Sequence, residues 1–151
     1  MRRTRLEIIL AALILASCAS PKGEVVLGVD SPPLGEGGVM LDDVGVILPS
    51  KGFAPVLPRG CELPCKGSLN IRTTIENQER VSVRLLRRSS SGRETVSRLG
   101  DFQITEIPPG PAEAHLIEVT LRAQKNNLSI YAIEEETGVH LRIRTILFVG
   151  D

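Results

Sequence analysis

Alternation of apolar and polar residues with a period of two runs through most of the chain after residue 80, and it leaves little room for any fold but an antiparallel sheet. Val81, Val83 and Leu85 alternate with Ser82 and Arg84. Ile117, Val119 and Leu121 alternate with Glu118, Thr120 and Arg122. Leu128, Ile130 and Ala132 alternate with Ser129, Tyr131 and Ile133, and Leu141 and Ile143 alternate with His140, Arg142 and Arg144. Side chains of a strand point to opposite faces in turn, so each run reads as a strand with one buried face. Ser91-Gly92, Asn126-Asn127 and Thr137-Gly138 separate the runs. Gly and Asn tolerate positive φ and suit tight reversals. Pro108-Pro109-Gly110-Pro111 cannot join a ladder and reads as a connection. No stretch of ten or more residues beyond the N-terminal region carries a convincing 3.6-residue period. Short strands at about ten-residue spacing predict an all-β antiparallel sandwich.

The N-terminus follows a different logic. Arg2, Arg3 and Arg5 precede an unbroken apolar run from Ile8 to Leu15, then Ala16, Ser17 and Cys18. Charge, apolar run and small residues in that order form a secretory signal. The run is shorter than the roughly 20 residues a bilayer span requires. Leu15-Ala16-Ser17-Cys18 resembles the lipobox of bacterial lipoproteins. That resemblance implies cleavage before Cys18, acylation of Cys18, and a membrane anchor made of acyl chains. Ala19 in place of Asp implies sorting to the outer membrane, facing the periplasm. The expected organisation is a signal peptide over 1–17, a lipidated cysteine and flexible tether over 18–38, and the sandwich over 39–151.

Removing 17 of 151 residues leaves 134, enough for one domain with a core. The full chain balances 18 basic against 18 acidic residues, and the signal takes away three arginines and one glutamate, so the mature net charge is −2. With that charge, no Trp, one Tyr and three Phe, nothing points to nucleic acid, whose stacking platforms need exposed rings.

From residue 39 the chain resembles the β-sandwich substrate-binding domain of DnaK-type heat-shock chaperones. The resemblance rests on Leu99-Gly100-Asp101-Phe102, on Ile107-Pro108-Pro109-Gly110-Pro111, on Ile117-Glu118-Val119-Thr120, and on Asn127 to Ala132 with Thr137-Gly138. Pro58 to Lys66, Glu76-Asn77-Gln78 and the weaker Val39 to Val44 extend it. It implies a groove that binds extended apolar peptide segments through backbone hydrogen bonds and one apolar pocket. Carried across position by position, Ile71 falls beside the groove, Thr74 at one half of an arch over the peptide, and Val81 and Val83 on the pocket-lining strand. Pro49 to Pro55 is shorter than the family's first groove loop, and the second arch residue has no equivalent. Neither the family's ATPase domain nor its helical lid is expected here, since the upstream sequence is too short for the one and the chain stops at Asp151. No glycine-rich phosphate loop is present, so no nucleotide and no other cofactor is expected. An ordinary-core role for Ile71, Val81 and Val83 competes with the groove. At the level of function, an interaction scaffold docking one envelope protein competes with peptide binding.

Cys61 and Cys65 leave two readings open. Extended, they would lie roughly 13 Å apart, while a disulfide needs less than about 7 Å; a turn over Gly60 to Pro64 would close the gap. As metal ligands they lack further Cys or His to complete a zinc set, so no metal is expected. Arg84, Arg87, Arg88, Arg93 and Arg98 cluster around Ser89 to Gly92 as a solvated hairpin or a contact for anionic headgroups. His115 and His140 lie on different strands without a catalytic partner. Asp42-Asp43 and Glu134 to Glu136 read as a strand start and a polar hairpin end. No catalytic constellation emerges, and no enzymatic activity is expected.

Overall fold

The computed structural model describes residues 23–27, 38–48, 51–89, 95–125 and 127–146. All regular structure among them is β: β1 (Val25–Leu27), β2 (Asp43–Leu48), β3 (Gly52–Leu57), β4 (Cys65–Arg72), β5 (Arg80–Ser89), β6 (Thr95–Thr105), β7 (Leu116–Gln124), β8 (Asn127–Glu134) and β9 (Val139–Thr145). Every pairing is antiparallel, in the order β3-β2-β5-β6-β9-β8-β7-β4.

The two layers share β9. Its first half pairs with β8, from Glu134↔Val139 to Ala132↔Leu141, and its second half with β6, from Thr105↔Arg142 to Phe102↔Thr145. At the other seam β3 lies directly against β4. A Cβ on Gly67 would stand 2.0 Å from the Val56 carbonyl oxygen, so only a residue without a side chain lets these backbones approach so closely. The result is a flattened, nearly closed barrel. Pro55, which has no N–H to donate, sits on β3, at the end of the strand order.

Of the predicted inward positions, Val83, Leu85, Ile117, Val119, Leu121, Leu128, Ile130, Ala132, Leu141 and Ile143 are buried and Val81 is half-buried; Phe102, Ile104, Val44, Val46 and Leu57 join them in the core. Leu86 interrupts the alternation in β5, and the register shifts there through a bulge in β6: Leu85 lies opposite Gly100 and Leu86 opposite Arg98, with Leu99 as the extra residue. The Leu99-Gly100-Asp101-Phe102 motif also gains a physical meaning. A Cβ on Gly100 would meet the Phe102 ring at 2.9 Å, so the bare glycine makes room for the largest fully buried side chain of the core.

Part of the expected tether is strand. Val25, Val26 and Leu27 pair with Ile130, Ser129 and Leu128. The reason lies in β9, which has turned away to β6 and left that edge of β8 without a partner; an open backbone edge is costly unless something pairs with it. Leu27 is buried in the core, and the Ser129 hydroxyl donates to Glu24. The flexible-tether description therefore fails for residues 25–27. Residues 1–22, including Cys18, lie outside the described residues.

Cys61 and Cys65 are bonded as a disulfide, with Cα atoms 6.0 Å apart. The chain before them turns at Gly60 (φ 84°), and the Cys61 amide donates to the Pro58 carbonyl at 3.2 Å. The turn is braced by Met40, whose amide donates to the Cys61 carbonyl at 2.9 Å. So short a loop places the entropic gain at the low end of the range, about 2 kcal/mol.

The basic cluster is largely neutralised. Arg84 and Arg98 both hold Asp101, Arg87 lies 3.4 Å from Asp42, and Arg88 holds Asp43 at 2.8 Å while resting on the Phe53 ring. Arg93 and the Ser91-Gly92 turn lie outside the described residues. Glu134, assigned by sequence to a polar hairpin end, is instead fully buried.

Candidate functional site

β2 accompanies β5 only from Asp43↔Arg88 to Val46↔Leu85. Beyond that point β2 stays with β3, through Ile47↔Phe53 and Leu48↔Gly52, and leaves the start of β5 uncovered. A pocket of about 250 Å³ opens where the strands part. Val46, Ile47 and Leu48 line it from β2; Val81, Ser82 and Val83 line it from β5; Ile71, Arg72, Thr74 and Gln78 close the third side. All four residues singled out from the sequence, Ile71, Thr74, Val81 and Val83, therefore meet around one cavity. Val46 is fully buried and Val83 nearly so; Ile71 and Val81 are half-buried. Ile47 is 42% exposed, and Ile75, next to Thr74, is 62% exposed.

The wall formed by residues 73–79 is braced from within and from behind. The Gln78 side-chain oxygen accepts the Thr74 amide at 2.7 Å and the Ile75 amide at 3.4 Å, and its nitrogen donates to the Arg80 carbonyl at 3.1 Å. Asn77 adopts φ 51°, a conformation Asn tolerates. Its amide donates to the Gly110 carbonyl at 2.7 Å, and the Gly110 amide donates back to Asn77 Oδ1 at 3.1 Å. Thr73 is buried; its amide donates to the His115 carbonyl at 3.0 Å, and the His115 amide donates to its hydroxyl at 3.2 Å. The Glu76-Asn77-Gln78 stretch thus works as a clamp, and the proline-rich connection after β6 is its anchor. The Arg72 guanidinium is fixed by donating to the Glu113 carbonyl at 2.9 Å.

That anchor ends on buried charge. His115 Nδ1 lies 3.4 Å from Glu134 Oε1, and Glu134 accepts the amide and hydroxyl of Thr137. Hydrogen bonds, that of the Thr137 hydroxyl foremost, hold the Glu134 carboxyl below its ordinary value although burial opposes this. At Asp101 burial works to raise the carboxyl, and the hydrogen bonds and charges of Arg84 and Arg98 together outweigh it, so it too is lowered. A carboxyl whose folded pKa is depressed stabilises the fold above the unfolded pKa and loses that contribution as pH falls through the folded value. Thermal stability is expected to hold from neutral pH down to about pH 5, then to drop steadily below about pH 4. Melts from pH 7 to 2.5 check this; a transition temperature that stays level below pH 4 would contradict it.

Sequence reasoning missed Val46 and the bracing role of Gln78. Val46 was legible as an inward position in an apolar run, but which wall it joined depends on where β2 leaves β5. The cavity is smaller than the roughly 300–1,000 Å³ typical of small-molecule sites, and its floor is aliphatic. It suits one apolar side chain of a larger ligand. Among the described residues, no three His, Cys, Asp or Glu side chains gather closely enough to hold a metal ion.

The chain resembles known proteins over the same span. The family model for Hsp70 protein matches residues 28–146. Heat shock 70 kDa protein 2 of Paracoccidioides lutzii is 27% identical over 129 residues, which are 85% of this chain and 18% of the relative. Heat shock cognate 70 kDa protein 3 of Dictyostelium discoideum is 26% identical over 126 residues, 83% of this chain and 19% of the relative. Chaperone protein DnaK of Thermotoga maritima is 30% identical over 113 residues, 72% of this chain and 17% of the relative. This chain spans less than a fifth of the length of these curated relatives. The match starts at residue 28, earlier than the expected boundary at 39, and takes in β2 to β9 with the whole cavity. By this match the chain belongs to the Hsp70 protein family.

Proposed function

We propose that this chain is a peptide-binding module of chaperone type that holds extended apolar segments of unfolded proteins without using nucleotide. One observation carries the reading: the positions that the family resemblance assigns to peptide contact surround a single aliphatic cavity, at the place where β5 loses its neighbour. An extended ligand can seat one side chain there while its backbone runs along the opening, a mode that recognises what all polypeptides share. Burying one Leu or Ile side chain contributes about 1.5–3 kcal/mol, and backbone hydrogen bonds add to it. Affinity is therefore expected to be micromolar or weaker, about −8 kcal/mol at best. Titrating the chain into a Leu-rich heptapeptide bearing a neutral fluorophore tests the reading. Saturable binding supports it; no binding across a panel of apolar peptides favours a scaffold that docks an envelope protein through its loops.

The proposal extends to location. Cys18, ending the apolar run, is taken as the lipidation site that tethers the module to a membrane of the cell envelope, the outer membrane facing the periplasm. Cys18→Ser is expected to abolish palmitate labelling in cells and to leave the precursor uncleaved. Undiminished labelling of that variant would refute the anchor.

A further inference from the structure

Val81 and Val83 face the cavity, and Arg80 points to the other side of the sheet, because successive side chains of a strand alternate. On that outer side lies a second, larger depression of about 500 Å³. Its floor is Gln103 and Thr105 of β6. Arg80 of β5 stands opposite Thr105, and Arg144 of β9 stands opposite Gln103, so the two guanidinium groups flank the floor. Both are exposed. Arg84, Arg87, Arg88, Arg98 and Arg142 each hold a carboxylate; among the described residues Arg80 and Arg144 have none within 4.0 Å. The depression includes Glu79 and Glu106, but Glu106 is committed to Arg142 at 3.0 Å. Its lining carries two arginines and two glutamates, but with Glu106 paired to Arg142 from outside it, Arg80 and Arg144 are left facing Glu79 alone.

The two depressions meet at the turn into β5. Gln78 and Val81 line the inner one, while Glu79 and Arg80 line the outer. An extended chain advances about 3.3 Å per residue, so residues flanking a side chain seated in the inner pocket extend stepwise along the surface toward this turn. We infer that the ligands selected here are extended segments with an apolar anchor flanked by carboxylates, which pair with Arg80 and Arg144. The inference rests on the peptide-binding reading and names its substrate class. Guanidinium forks match carboxylates in geometry as well as charge. At exposed positions such pairs add modest, salt-sensitive energy, so they select among ligands and do not supply the main affinity.

The test uses the full-length chain and three peptides with the same Leu-rich core and a neutral fluorophore. They are flanked at both ends by Ser-Ser, Asp-Asp or Lys-Lys. At low ionic strength the Asp-flanked peptide is expected to bind about fivefold tighter than the Lys-flanked one. The ratio should approach one in about 0.5 M salt. In the Arg80→Ala/Arg144→Ala double variant it should be near one at any salt concentration, with the Ser-flanked peptide bound as in the parent. Binding of the Ser-flanked peptide without a preference for Asp overturns this inference alone, as does a preference that survives the double substitution. Failure of all three peptides to bind a well-folded chain overturns the peptide-binding reading, and this inference with it.

Discussion

Phe102→Ala is expected to cost about 3–5 kcal/mol of folding stability, the range for truncating a fully buried aromatic side chain. Phe102 has no exposed surface and is the largest side chain in that state. Its ring occupies the space that Gly100 leaves empty, and its strand lies between β5 and β9, facing Val83 on one side and Thr145 on the other. Truncation thus opens a void bounded by paired backbone on both sides, which has little freedom to collapse. Domains of this size typically hold only about 5–15 kcal/mol in total, so the loss would take away a large fraction. Val96→Ala on the same strand is the control: Val96 is 56% exposed, and its truncation should change stability by less than about 0.5 kcal/mol. Urea unfolding followed by circular dichroism measures both. A loss below about 1 kcal/mol for Phe102→Ala would mean that the core is not packed around this ring.

Val81→Asp is expected to weaken peptide binding at least tenfold while leaving a folded protein. Val81 lines the cavity but is only half-buried, so in the free chain an aspartate there can keep water. A seated apolar side chain displaces that water and leaves the carboxylate without a partner, at a cost of about 1–3 kcal/mol or more. Val83, almost fully buried, would be the wrong choice, since a charge there threatens the fold before any ligand arrives. Arg88→Ala removes a side chain bound to Asp43 and Phe53 on another part of the surface and should leave binding unchanged. Titrations of the three proteins with the heptapeptide, each with a thermal melt, decide the matter. Equal affinity in the parent and in a well-folded Val81→Asp chain would remove this cavity as the binding surface.

Most of the sheet was legible because alternation is a direct imprint of a half-buried strand. Val119, Leu121, Leu128, Ile130 and Ile143 all face inward as the pattern requires. What alternation does not encode is pairing. Nothing in Val25-Val26-Leu27 says that β8 will have an open edge waiting for it, because that vacancy arises only from the path of β9. Glu134 is misleading for a similar reason. Beside Glu135 and Glu136 it looks solvated, yet it occupies the inward phase of β8, opposite Ile117, and is tolerated because Thr137 and His115 meet its oxygens. The cavity residues on β4 and β5 were legible through family resemblance. The β2 wall was not, since Val46 joins the site only through the place where its strand departs.

The division of β9 between two layers has a consequence for a chain still being made. Synthesis runs from the N-terminus, and β9 is the ninth of the described strands, so β6 and β8 exist for a time with no neighbour where β9 will lie. Until Val139 to Thr145 emerge, an unfinished chain carries two bare apolar strand edges, each a template for another copy. β1 protects only Leu128 to Ile130. Clumping should therefore be worst for chains truncated just before residue 139, and β9 acts as a latch that removes both hazards in one step.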